Sequence, residues 1–135
     1  MIAVVATDAP LFPSQCKAFA RRVTAGLART GASGSHFSGD LFLAFCTGNP
    51  GGFTSGGPGT TAATAAPGTT AYDQLTFIPW PRVDPFFEAV VQATGEAVVN
   101  SLVANEDMTG RDGHRSPALS RDRLAEIVRA HTSRG

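Results

Sequence analysis

Met1 to Ala6 (MIAVVA) is an unbroken apolar run rich in β-branched residues, and Thr7-Asp8-Ala9-Pro10 ends it. A short run that is apolar on both faces predicts a strand buried inside a sheet. Beyond Pro13 the spacing changes. Cys16, Phe19, Ala20, Val23 and Leu27 recur every three or four residues, which predicts a helix with one apolar face. Pro13 suits its first turn, Arg21, Arg22 and Arg29 crowd the end where cations favour the helix dipole, and Gly31 is a natural stop. Gly26 inside this helix predicts a close packing contact. Leu41 to Cys46 (LFLAFC) is again apolar on both faces and predicts a second, central strand.

From Gly48 to Ala71 the chain collapses to Gly, Thr, Ala, Pro and Ser around Asn49, with Phe53 its one bulky side chain, and reads as a long flexible loop. A third strand is expected around Tyr72 to Ile78, ended by Pro79 and Pro81. Asp84 then offers an N-cap and Pro85 a first helical residue. The helix from Pro85 to Leu102 carries Phe86, Phe87, Val90, Val91, Ala97, Val98 and Leu102 around much of its circumference, so it must be buried or covered by a partner. Glu106 to Gly113 reads as a polar turn. Ser120 caps a final short helix to about His131, with Leu124, Ile127 and Val128 turned inward. This order implies an α/β (α+β layered) domain. Three strands make a thin sheet, so further strands are expected from another chain.

Composition narrows the function. The 135 residues suit one domain, and 42% hydrophobic content suits a globular one. A formal net charge of zero removes the electrostatic footprint of a nucleic-acid binder, and the Arg21-Arg22 pair is too small for a membrane surface. The apolar runs are too short for a signal peptide or a membrane span. A cytoplasmic location is expected, with the periplasm left open. Cys16 and Cys46, the only cysteines, sit in apolar contexts and read as two reduced, buried thiols, with a disulfide as the alternative.

Ser38-Gly39-Asp40 is the best local site for chemistry. Residues two apart on a strand share a face, so a hydroxyl and a carboxylate can serve one pocket, with Gly39 allowing close backbone approach. His36 does not complete a Ser-His-Asp triad, because one extended segment holds the groups side by side with the serine in the middle. His114 and His131 are expected at the surface. Neither metal-ligand spacing nor a phosphate loop occurs, Gly56, Gly57 and Gly59 lacking the Lys-Ser/Thr that a phosphate loop carries, so no cofactor is expected.

Several specific strings resemble one family. Val4-Val5-Ala6-Thr7-Asp8-Ala9-Pro10-Leu11, Ala20-Arg21-Arg22, Gly26-Leu27-Ala28-Arg29-Thr30-Gly31, Ser38-Gly39-Asp40 and Ala44-Phe45 are similar to the β-chain of the DmpA-type aminopeptidases, which include the L-aminopeptidase/D-amidase/D-esterase enzymes and the β-peptidyl aminopeptidases. Asp84 to Ala97 and Glu106 to His114 continue the likeness, which covers nearly the whole chain apart from the Gly48–Ala71 loop.

The resemblance implies a precursor that cuts itself into an α-chain and a β-chain, freeing a serine at the β-chain N-terminus. That serine is the nucleophile, and its α-amine, with an ordinary pKa of roughly 8, serves as base. It implies a four-layer α-β-β-α sandwich assembled as an oligomer of α/β pairs. Its substrates are short peptides, amides or esters that lose an N-terminal residue. Residues 1–135 are then the C-terminal portion of the precursor. Ser38 hydrogen-bonds the reacting hydroxyl and amine, Asp40 orients them, and the oxyanion donor belongs to the α-chain. The family serine aligns with the position immediately before Met1. Two other readings compete: a non-catalytic remnant kept as a binding or assembly subunit, and an acyltransferase suggested by fold analogy alone.

Overall fold

The computed structural model describes residues 1–37, 39–52 and 74–133. Strand β1 (Ile2–Thr7), helix α1 (Pro13–Arg29) and strand β2 (Leu41–Cys46) form a β-α-β unit in which the two strands pair in parallel, Ile2 opposite Leu41 through Thr7 opposite Cys46. Helix α2 (Asp84–Ala104) packs along α1. A two-residue antiparallel ribbon, β3 (Met108–Thr109) with β4 (Arg115–Ser116), and helix α3 (Arg121–Thr132) complete the chain.

The first helix starts as its sequence dictates. Pro13 occupies the first position, and Gln15 at the third reaches back to accept from the Phe12 N–H at 3.0 Å. The fully buried Gln15 amide also donates to the Ile78 carbonyl at 2.6 Å, pinning the segment ahead of α2 to the helix start. At the other end Gly31 adopts φ +91°, and the Ala32 and Gly31 N–H groups donate back to the Leu27 and Ala28 carbonyls. This left-handed Schellman ending turns the chain through an angle that an L side chain resists.

Leu11, Phe19, Val23, Leu27, Val83 and Val90 form the core, with Ala3, Val5, Phe42 and Ala44 packed against it from the sheet. Each large core side chain contributes on the order of 1.5–3 kcal/mol by leaving water. Phe19 meets Phe87 edge-to-face at 5.6 Å, and the Arg22 guanidinium lies 4.1 Å above the Phe87 ring. The expected close approach at Gly26 is present: a Cβ there would lie 2.5 Å from the Cβ of Thr94 on α2.

Four expectations are corrected. Among the described residues the strands are covered on one face only: Ile2, Val4, Leu41, Leu43 and Phe45 point away from the helices and are exposed. Described residues 74–79, expected in a third strand, form no ladder, because they run against the N-terminal end of α1 through Ile78, Gln15 and the Phe12–Phe77 stack; Tyr72 lies outside the described residues. Asp84 is the first helical residue of α2, with Val83 at the cap position. Helix α3 is capped by Ser120 as expected, but it buries no residue, and Ile127 and Val128 are exposed. The Gly48–Ala71 loop falls largely on residues 53–73, outside the described residues.

Candidate active site

Parallel pairing places the N-terminal ends of both strands at one edge. Since Ile2 faces Leu41, the residues just ahead of them, Met1 and Asp40, must also meet. The Met1 amino nitrogen donates to Asp40 Oδ1 at 2.7 Å and to the Gly39 carbonyl at 3.3 Å, and the Leu41 N–H donates to the Met1 carbonyl at 2.9 Å. Asp40 and Gly39 thus grip the first backbone nitrogen of β1 from two sides. An atom bonded to that nitrogen is held within a few ångströms of the Asp40 carboxylate.

A cavity of about 340 Å³ opens beside this contact, lined by Met1, Leu27, Ala32, Ser33, Gly34, Ser35 and Asp40. Its small-residue wall exists because the Gly31 turn folds residues 32–35 back over the last turn of α1. Leu27 thereby joins the core to the cavity. The segment continues through His36, whose ring lies 3.9 Å from the exposed Phe37 ring. Asp40 is about one-third exposed, and so is open to a ligand.

Of the two expected site residues, Asp40 meets the start of β1. Ser38 lies outside the described residues. The cavity wall at Leu27 and at residues 32–35 was not expected as part of a site. Its signal was present in the Leu27-to-Gly31 helix ending, which fixes where the following residues fold. Among the described residues no group of three or more His, Cys, Asp or Glu could hold a metal ion, and no helix is long and apolar enough to cross a membrane.

Residues 1–116 match the family model described as Peptidase family S58. The chain is 39% identical over 131 residues to the "Beta-peptidyl aminopeptidase BapA" of Sphingosinicella microcystinivorans, covering 97% of this chain and 30% of that protein. Among solved structures, the L-aminopeptidase D-Ala-esterase/amidase from Ochrobactrum anthropi, described as a variant of the Ntn hydrolase fold, superposes with a TM-score of 0.75 at 33% identity. That match covers 97% of this chain and 33% of the other. A Burkholderia sp. β-aminopeptidase superposes with a TM-score of 0.74 at 37% identity, over 96% of this chain and 34% of the other. The α/β layered arrangement is therefore shared with solved aminopeptidases, and the chain spans about 30% of the length of the curated relatives it matches.

Proposed function

Since the chain belongs to peptidase family S58, we propose that it is the β-chain portion of an aminopeptidase that removes N-terminal residues from short peptides, amides or esters. The nucleophile is a serine joined to the Met1 nitrogen, freed when the precursor cuts itself. Its hydroxyl attacks the substrate carbonyl while its α-amine takes the proton; the substrate C–N or C–O bond then breaks, the amine or alcohol leaves with that proton, and water hydrolyses the acyl-enzyme to free the N-terminal residue as its acid. Ser38 hydrogen-bonds the hydroxyl and amine, and Asp40 orients them. An α-chain from the same precursor supplies the oxyanion donor and covers the open face of β1 and β2, giving a four-layer sandwich. The α/β pairs assemble into a homo-oligomer.

The observation that carries this reading is the 2.7 Å contact between the Met1 nitrogen and Asp40 Oδ1. A nitrogen at this point stays a donor whether it is an amine or an amide. As an amide it has a single N–H, which either the Asp40 carboxylate or the Gly39 carbonyl can accept, so on this reading a residue ahead of Met1 begins next to Asp40.

The test expresses the gene with its upstream coding region and assays amino-acid and β-amino-acid p-nitroanilides. Turnover should fall by at least about 10²-fold in Ser38→Ala and in Asp40→Ala, in protein that remains folded at the assay temperature. Absence of turnover in the wild type, or full activity in both variants, contradicts the proposal; the first result is what an inactive assembly subunit would give.

A further inference from the structure

Helix α1 and strand β2 bring together two thiols that the reaction above leaves unused. Cys16 lies near the start of α1 and Cys46 ends β2; both are free and half-buried. They line one cavity of about 600 Å³, together with Leu11, Lys17, Ala20 and Phe42. The Cys46 thiol donates to the Leu11 carbonyl at 3.4 Å, which holds its sulfur on the side of β2 that faces α1. Burial first, and then the neighbouring Cys46 thiol, push the Cys16 thiol above its ordinary value, so Cys16 stays protonated and is a slow nucleophile at neutral pH. The thiols are remote from Asp40. Cys46 pairs with Thr7 at the far end of the sheet, roughly 20 Å along a six-residue strand.

We propose that Cys16 and Cys46 form a dithiol modification site, closed into an intramolecular disulfide by exchange with a low-molecular-weight disulfide. One protein thiol, as its thiolate, attacks the reagent's S–S bond, forms a mixed disulfide and releases one reagent thiol. The second protein thiol attacks the mixed disulfide, forms the Cys16–Cys46 bond and releases the other. Two protein thiols are oxidised, one reagent disulfide is reduced to two thiols, and the two protons leave on those thiols. The cavity admits the reagent. The new bond ties α1 to β2 and closes a loop that contains both the Gly31 turn and Asp40, which restricts the unfolded chain.

The test equilibrates the full chain in a fixed ratio of reduced to oxidised glutathione, in native buffer and in concentrated urea, and reads intact masses after acid quenching. In native buffer the expected product is two hydrogens lighter than the reduced chain. The ratio of closed disulfide to single-glutathione adduct should be at least about tenfold higher than in urea. Cys16→Ser and Cys46→Ser should each carry one glutathione instead. The urea comparison needs no variant, so it stands even where a variant folds poorly. Two glutathiones per wild-type chain, persistent free thiols, a disulfide between copies, or a native ratio no higher than in urea would each overturn the proposal.

Discussion

Gly26→Ala sets two opposing terms against each other at the crossing of α1 and α2. Helix propensity favours alanine over glycine by about 1 kcal/mol. Packing opposes it. The added Cβ would lie 2.5 Å from Thr94 Cβ, 2.8 Å from Thr94 Cγ2 and 2.8 Å from the Val91 carbonyl oxygen. Carbon atoms settle roughly 3.5–4 Å apart, so the helices must separate by about an ångström. That movement opens the core at Val23, Leu27 and Val90. Overpacking of this kind costs about 1–3 kcal/mol. Because two of the three obstacles are a Cβ and a backbone oxygen, which no rotamer change removes, the upper part of that range applies. The net expectation is a loss of about 1–2 kcal/mol, read as a lower urea midpoint at unchanged slope. Thr94→Ser, which removes Cγ2 alone, should recover little. Thr94→Gly removes the Cβ contact, so the Gly26→Ala/Thr94→Gly double variant should be less destabilised than the sum of the singles. A Gly26→Ala protein stabilised by its full propensity gain, or a strictly additive cycle, would refute the packing argument.

Three further outcomes are expected. The chain expressed alone should self-associate, because Ile2, Val4, Leu41, Leu43 and Phe45 expose one continuous sheet face; a monodisperse monomer by light scattering would count against this. Gln15→Leu should cost about 2–5 kcal/mol in a urea titration, since it strips the Phe12 N–H and the Ile78 carbonyl of their shared partner; an unchanged midpoint would show that the bridge is dispensable. The Ala118 N–H, and then Arg115, hold Asp107 below its usual carboxylate pKa of 3.8. Its contribution to the β3–β4 ribbon is therefore complete above pH 3.8 and is lost as pH falls through the depressed folded value. The Ala118 amide shift should titrate with a midpoint under 3.8, and Asp107→Asn should abolish that titration.

The parts of the fold that were legible in the sequence are those with local causes. Pro13, the three-and-four spacing from Cys16 to Leu27, and Gly31 define α1 without reference to anything else. Gly26 marks its contact with α2. The tie between Asp40 and the start of β1 was legible only through the family resemblance, since parallel register depends on how α1 crosses the sheet. What misled was apolar content without periodicity. The outer faces of β1 and β2, and Ile127 and Val128 on α3, carry core-type residues that the described residues leave exposed. Residues 74–79 have strand-like composition, yet Gln15, Asn49 and Phe12 hold them against the start of α1 and the loop after β2. Their conformation follows from contacts distant in sequence.

On the proposed reading, chemistry occurs at the residue joined to the Met1 nitrogen, beside Asp40. Treating the protein produced with its upstream region with a fluorophosphonate, followed by digestion and mass spectrometry, tests this directly. The adduct should sit on a serine immediately ahead of Met1, and Asp40→Ala should slow its formation. An adduct on Ser33, Ser35 or Ser38, in protein that turns over an aminopeptidase substrate, would contradict the account.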